Sequence, residues 1–255
     1  MAVFNVIISK KAGDEMNIAI VSGGSKGIGL AIAIELDKLM LDEIWIISRS
    51  FDKIEHFKTK IRHFPLDISK SDFSESLKNE LSCGEFCIKY LVCSAGVGYF
   101  KDVCDTEIKE ASAMIDINCR GLTLLTNTCL PYMKKDSHII NIASGAGFLP
   151  QPHFAIYAAT KAYVISFSKS LRYELRHRKI SVTCVCPGPV DTDFFSSLNP
   201  PEYKKRFVIS AEKVAKGAIK ASKKGKIIYS PTLSIKLVHL ASKLIPSKLL
   251  LRFYK

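Results

Sequence analysis

The sequence predicts a doubly wound α/β domain on a parallel sheet of about seven strands. Three observations predict it: seven short, nearly unbroken apolar runs, helical patterns between them, and a glycine-rich turn directly after the first run. The runs fall at 18–22, 43–48, 61–67, 90–94, 138–144, 181–187 and 226–230. Strands covered by helices on both faces read as continuous apolar stretches, because neither side of the pleat meets water. The helical patterns fall at 27–40, 71–81, 107–134, 157–177 and 211–222. The longest irregular connection is 188–206, a length typical of lids over binding sites.

Composition fits one large domain. The chain has 255 residues, 47% hydrophobic and 24% charged, enough apolar material for a substantial core. Disorder, collagen-like repeats and a disulfide-stapled mini-protein are excluded. No apolar run approaches the ~20 residues that cross a bilayer, and the first, at 3–8, is too short for the core of a signal peptide. A cytoplasmic location is the expectation. The eight cysteines are scattered through apolar segments without zinc-ligand spacing, so they read as reduced core thiols, and no metal is expected.

The formal charge is +13, with a strongly basic region after Lys204. Such a charge suits nucleic acid, an anionic membrane surface or an acidic substrate. The basic region lacks the interleaved aromatics that stack on bases, so nucleic acid is not expected as a partner.

Gly23, Gly24, Ser25, Lys26, Gly27, Ile28 and Gly29 lie between the first strand and the first helix. Glycines there permit a tight turn and let a pyrophosphate approach the amides, while the helix start supplies partial positive charge. A glycine turn serving geometry alone is the simpler reading. Its place at the head of an alternating β/α chain favours a Rossmann-type nucleotide site, with Gly23, Ser25, Lys26, Ile28 and Gly29 as contacts. The second strand ends in Ser48, Arg49 and Ser50, with no carboxylate to hold a free ribose 2′-hydroxyl. Arg49, helped by Lys26, suits a 2′-phosphate, so NADP(H) is the expected cofactor. Asp67, closing the third strand, is placed to accept from an adenine amino group, though Asp also caps turns. Ser94 and Gly96 end the fourth strand with small side chains that admit a ring or ribose.

Ser144 ends the fifth strand, and Tyr157 and Lys161 follow on the next helix, four residues apart and so on one face. A phenol near pKa ~10 is a poor acid at neutral pH, but a neighbouring ammonium and a cationic nicotinamide stabilise the phenolate. By itself the Tyr-x-x-x-Lys spacing is common in helices. With the glycine turn, Asn118, Ser144 and the turn Pro187-Gly188-Pro189-Val190-Asp191-Thr192 in order, the chain resembles the short-chain dehydrogenase/reductase family from about residue 17 to 230.

That resemblance implies Tyr157 as general acid or base, Ser144 holding the substrate oxygen, and Lys161 both lowering the tyrosine pKa and binding the nicotinamide ribose. It implies Asn118 holding a water in a proton relay, and Val190 and Thr192 meeting the nicotinamide carboxamide. It further implies a homodimer or homotetramer through the long helices. Two departures stand out: Cys93-Ser94-Ala95-Gly96 replaces the family's Asn-Asn-Ala-Gly, and Ser22 replaces the threonine common before the glycine turn.

Family resemblance places a substrate pocket among Gly98, Tyr99, Phe100, Gly145, Ala146, Phe148, Leu149, Phe154, Phe194 and Phe195. This composition suits an apolar carbonyl or alcohol, although the same residues would pack a hydrophobic lid. The expected division is an N-terminal extension over 1–15, a dinucleotide-binding catalytic domain over 16–230, and a basic amphipathic segment over 231–255. Leu233, Leu237, Leu240, Leu244, Leu249 to Leu251 and Phe253 recur there at helical spacing among lysines, broken by Pro246. Three readings of that segment stand together: a lid or partner-contacting helix, a peripheral membrane contact, and a solvated tail. The functional reading is an NADP(H)-dependent oxidoreductase acting on a small-molecule carbonyl or alcohol. The alternative is a non-catalytic NADP(H)-binding redox sensor on the same fold.

Overall fold

The computed structural model describes residues 15–50, 57–198, 207–246 and 248–249. The expected N-terminal extension lies outside them apart from Glu15, as do residues 199–206 of the long connection and Leu250, Leu251, Arg252, Phe253 and Lys255 of the C-terminal segment.

Seven parallel strands form one sheet: β1 (Met16–Ser22), β2 (Glu43–Ile47), β3 (Lys60–Phe64), β4 (Phe86–Cys93), β5 (His138–Ile142), β6 (Ser181–Val185) and, after the short β7 (Val190–Asp191) and β8 (Ile209–Ser210), β9 (Ile228–Tyr229). Their order is β3-β2-β1-β4-β5-β6-β9, and β7 and β8 pair separately. The helices are α1 (Gly27–Leu36), α2 (Phe73–Ser82), α3 (Ile108–Ile115), α4 (Leu122–Cys129), α5 (Ala155–Glu174), α6 (Asp193–Ser197), α7 (Ala211–Lys223) and α8 (Leu233–Leu244).

The pleat of β1 shows why both faces are apolar. Ile18 and Ile20 enter a core shared with Leu77 of α2, Leu125 of α4 and Val164 of α5, whereas Ala19 and Val21 enter a second core with Ile32 of α1 and Val214 and Ala218 of α7. Two helical layers therefore sandwich the sheet. Glu43 is the one carboxylate buried in a central strand, and it is matched there: Trp45 Nε1 donates to it at 2.7 Å and Lys60 Nζ at 2.6 Å.

The order reverses between β1 and β4, which pair with each other while their outgoing connections run to opposite sides. A crevice opens at the carboxyl ends of strands at such a switch point. Gly23, Arg49, Ser144, Tyr157 and Lys161 all line it.

Three expectations differ in detail. The single helix expected over 107–134 is four pieces, α3, a π-helical turn (Asp116–Gly121), α4 and a 3-10 turn (Leu130–Tyr132). The first helix stops at Leu36 rather than near 40. The long connection holds the short β7, α6 and β8 rather than being wholly irregular. Within the C-terminal segment, α8 turns Ile235 and Val238 toward the crevice.

Candidate active site

The glycine turn is built as its sequence requires. Gly23 has φ +66°, and a Cβ there would stand 2.7 Å from the Ala95 backbone at the end of β4. A Cβ on Gly29 would lie 2.2 Å from the Gly23 carbonyl, so helix and turn meet at a distance only glycine allows. α1 starts at Gly27, and its first residues, Gly27 and Ile28, line the crevice.

Gly23, Ser25, Lys26 and Ile28 line a crevice of about 600 Å³, together with Arg49, Asp67, Ser94 and Gly96 at the strand ends. Burial alone would raise the Asp67 carboxyl, but the Ser69 amide that donates to it at 2.9 Å, with Arg49 and Lys70 nearby, holds it below the ordinary value. Arg49 thus sits close to Asp67 on the rim. Lys26 reaches the other way, and its Nζ lies 3.5 Å from Asp193 of α6, across the mouth of the crevice.

The opposite end holds the chemical groups. Ser144 follows β5, and its hydroxyl accepts from the Ala146 amide at 3.1 Å while hydrogen bonding with Tyr157. Tyr157 and Lys161 share the buried face of α5 and are 6% and 5% exposed. The Lys161 Nζ lies 5.6 Å from the Tyr157 ring centroid and donates to the Ile142 carbonyl at 3.0 Å. Phe154 stacks on Tyr157 with centroids 4.3 Å apart, and Phe194 closes the other side at 5.9 Å.

Burial decides the protonation of both groups. It pushes the Tyr157 phenol up to about 12, partly offset by the Ser144 hydrogen bond. It also pushes the Lys161 ammonium down to about 8, against a small opposing pull from the thiols of Cys184, Cys119 and Cys186. The lowering of Tyr157 expected from its lysine neighbour is thus absent in the chain by itself. Desolvation outweighs one ammonium placed over the ring and hydrogen-bonded elsewhere, to the Ile142 carbonyl.

Asn118 stands on the π turn, where one extra residue per turn rotates it inward. Its Oδ1 accepts from the Val97 amide at 2.9 Å, and its Nδ2 donates to the Val97 carbonyl at 2.8 Å and to Thr160 Oγ1 at 3.0 Å. The side chain clamps the segment after β4 onto α5, one residue before Lys161. Val190 is buried in β7 and Thr192 caps α6, accepting from the Phe195 amide at 3.4 Å, and both line the crevice.

Of the expected pocket residues, Phe100, Gly145, Ala146, Phe154, Phe194 and Phe195 line the crevice. Gly98 instead backs Tyr157: a Cβ there would stand 2.7 Å from the tyrosine ring. Phe148 stacks on His239 of α8 at 4.2 Å, beneath the helix rather than in the crevice. Sequence reasoning missed Gln151, Leu198, Phe207, Ile235 and Val238, which also line the crevice. The isolated apolar pair Ile235 and Val238, off the leucine repeat, was the available signal.

The residues present fit a dinucleotide. The glycine cradle has no room for side chains, cations stand at one end of the crevice, and a Cβ on Gly96 would lie 3.2 Å from Asn118 Oδ1 and 3.3 Å from Lys161 Nζ, keeping that passage open only as glycine. Among the described residues, no His, Cys, Asp and Glu cluster suits a metal ion.

Comparison with known proteins agrees with this geometry. Residues 17–203 match the family described as short chain dehydrogenase. The chain is 36% identical over 217 residues to the very-long-chain 3-oxoacyl-CoA reductase of Mus musculus, covering 79% of this chain and 67% of that protein. A short-chain dehydrogenase from Burkholderia cenocepacia, solved in complex with NADP, superposes with a TM-score of 0.80 at 18% identity, over 96% of this chain and all of that one. A short-chain dehydrogenase/reductase from Burkholderia phymatum, in complex with NAD, superposes with a TM-score of 0.76 at 20% identity, over 90% and 95% of the two chains. The fold, the glycine cradle and the matched residues establish that this chain belongs to the short-chain dehydrogenase/reductase family of oxidoreductases.

Proposed function

We propose that this protein is an NADP(H)-dependent oxidoreductase that interconverts an apolar carbonyl and its alcohol, with Tyr157 as general acid or base. The observation that carries the reading is the buried pair Tyr157 and Lys161 with the half-buried Ser144, all lining a crevice whose other end is a glycine cradle. When bound, the dinucleotide supplies or accepts the hydride. The chain's own residues handle the proton and the charge.

In the reducing direction Tyr157 gives its phenolic proton to the carbonyl oxygen as the carbon takes up a hydride, so that the C–H and O–H bonds of the alcohol form and the C=O π bond breaks. Ser144 donates to that same oxygen and stabilises the charge that develops there. Lys161, cationic below about pH 8, stabilises the phenolate that Tyr157 becomes, and its Nζ is close enough to the Gly96 passage to hold a ribose hydroxyl. Phe154 and Phe194 keep water from the phenol. Asn118 positions Val97 and Thr160 rather than touching the reacting atoms through its side chain.

NADP(H) over NAD(H) is supported by Arg49 on the rim and the absence of a carboxylate among Ser48, Arg49 and Ser50. An apolar, lipid-like substrate is supported by Phe100, Phe207, Leu198, Ile235 and Val238, with the polar Gln151, Asp193 and Ser234 among them. The similarity to a reductase named for very-long-chain 3-oxoacyl-CoA points the same way. A paired-helix homodimer belongs to the same proposal, favoured by the stacked Tyr163 and Phe167 on α5 and the exposed Ile115 on α3. A pure redox sensor gains nothing from burying a lysine beside a tyrosine. The test is oxidation of NADPH, compared with NADH, over a panel of apolar ketones and 3-oxoacyl thioesters. Turnover of at least one with NADPH preferred is expected, and binding of NADPH without turnover of any would favour the sensor.

A further inference from the structure

Helix α8 has two apolar faces. At about 100° per residue, Ile235, Val238 and His239 fall on one side, and Leu233, Leu237, Leu240 and Leu244 centre on the opposite side. The first face is docked. Ile235 packs against Gly145 and Gly188, where added Cβ atoms would lie 2.8 and 3.2 Å away, and His239 stacks on Phe148. The second face is bare among the described residues, with Leu233 and Leu244 70% and 72% exposed and Leu237 and Leu240 57% and 54%.

Four leucines in one row on a surface helix are not explained by folding, because the helix is already held by its other side. What surrounds the row indicates what covers it. Lys236 and Lys243 flank it on one edge, Lys248 follows Pro246, and Lys169 of α5 stands near His239. After Glu212 the chain contains no aspartate or glutamate. A second copy packed on this row by a two-fold axis would bring the same cations together without a carboxylate on either side. An anionic surface with an apolar interior satisfies both the leucines and the lysines.

We propose that α8 is a membrane-docking helix, which lies on an anionic bilayer with Leu233, Leu237, Leu240 and Leu244 in the acyl boundary and Lys236, Lys243 and Lys248 among the headgroups. The inner face of the same helix closes the crevice, so docking sets the crevice beside the lipid. The proposal does not depend on the reaction carried out there, since it concerns only the outward face.

The experiment is sedimentation of the full chain with phosphatidylcholine vesicles, with and without phosphatidylserine. Binding to the anionic vesicles alone is expected, weakening with added salt. Leu237→Ser with Leu240→Ser, and separately Lys236→Glu with Lys243→Glu, are each expected to weaken it roughly tenfold or more, with unchanged circular dichroism. Equal behaviour with neutral and anionic vesicles, or full binding by both variants, would overturn the proposal. Self-association in the analytical ultracentrifuge that the leucine variant abolishes, without vesicle binding by the wild type, would assign the face to a second copy instead.

Discussion

The Lys161 ammonium is anchored on the Ile142 carbonyl at 3.0 Å and stands over the Tyr157 ring, 5.6 Å from its centroid. The pair is thus held together but not in direct contact. The lysine is kept by the end of β5 at a fixed place near both the phenol ring and the Gly96 passage.

Holding that lysine in the core is destabilising at neutral pH. Burial lowers Lys161 from 10.5 to about 8, which corresponds to roughly 3 kcal/mol. The folded protein releases this proton at lower pH than the unfolded chain. The contribution to stability is therefore fully present above about 10.5 and is lost as the pH falls through about 8. Denaturant titrations should show wild type gaining stability relative to Lys161→Met between those values. A difference independent of pH would mean that the lysine is not desolvated as described.

The hydrogen bond with Ser144 pulls the Tyr157 phenol downward against the effect of burial. Ser144→Ala is expected to reduce kcat on the order of 10²-fold or more while leaving dinucleotide affinity within a few fold, and to shift the basic limb of the pH–rate profile upward. Steady-state kinetics across pH, paired with fluorescence titration of NADPH, reads both effects.

Gly98 tests how tightly the phenol is placed. A methyl there would meet Tyr157 Cδ2 at 2.7 Å, Cε2 at 3.0 Å and Phe194 at 3.1 Å. Gly98→Ala should displace the tyrosine ring, lowering kcat roughly 10-fold or more with little change in unfolding temperature, because the site lies at the edge of the core.

Arg49 sets the choice of dinucleotide in this account. Arg49→Asp should weaken NADPH and strengthen NADH, changing the ratio of their kcat/KM values by at least about 100-fold. An unchanged ratio would remove Arg49 from the phosphate end.

Much of this was legible in the sequence because the signals are local. Continuous apolar runs such as Ile44 to Ile47 mark strands buried on both faces, and the glycine turn, Ser144, Tyr157 and Lys161 are fixed by chain order and helical spacing. The π turn around Asn118 was not legible, because its cause is tertiary: Gly121 packs so close to the Ile68 carbonyl that a Cβ would lie 2.6 Å from it. The direction of the leucines on α8 was hidden for the same kind of reason. Periodicity identifies a stripe, but only the position of Gly145 and Gly188 determines that Ile235 faces inward and Leu237 outward. The raised Tyr157 pKa also depends on burial by Phe154 and Phe194, which residue spacing does not reveal.

The most direct measurement on the role given to Tyr157 is the removal of one oxygen atom. In Tyr157→Phe the ring keeps its stacking on Phe154, so NADPH should bind with near wild-type affinity by fluorescence titration, while single-turnover oxidation with a carbonyl accepted by the wild type should fall by about 10³-fold or more. Turnover close to wild type in that variant would contradict the account, because the proton would then come from another group.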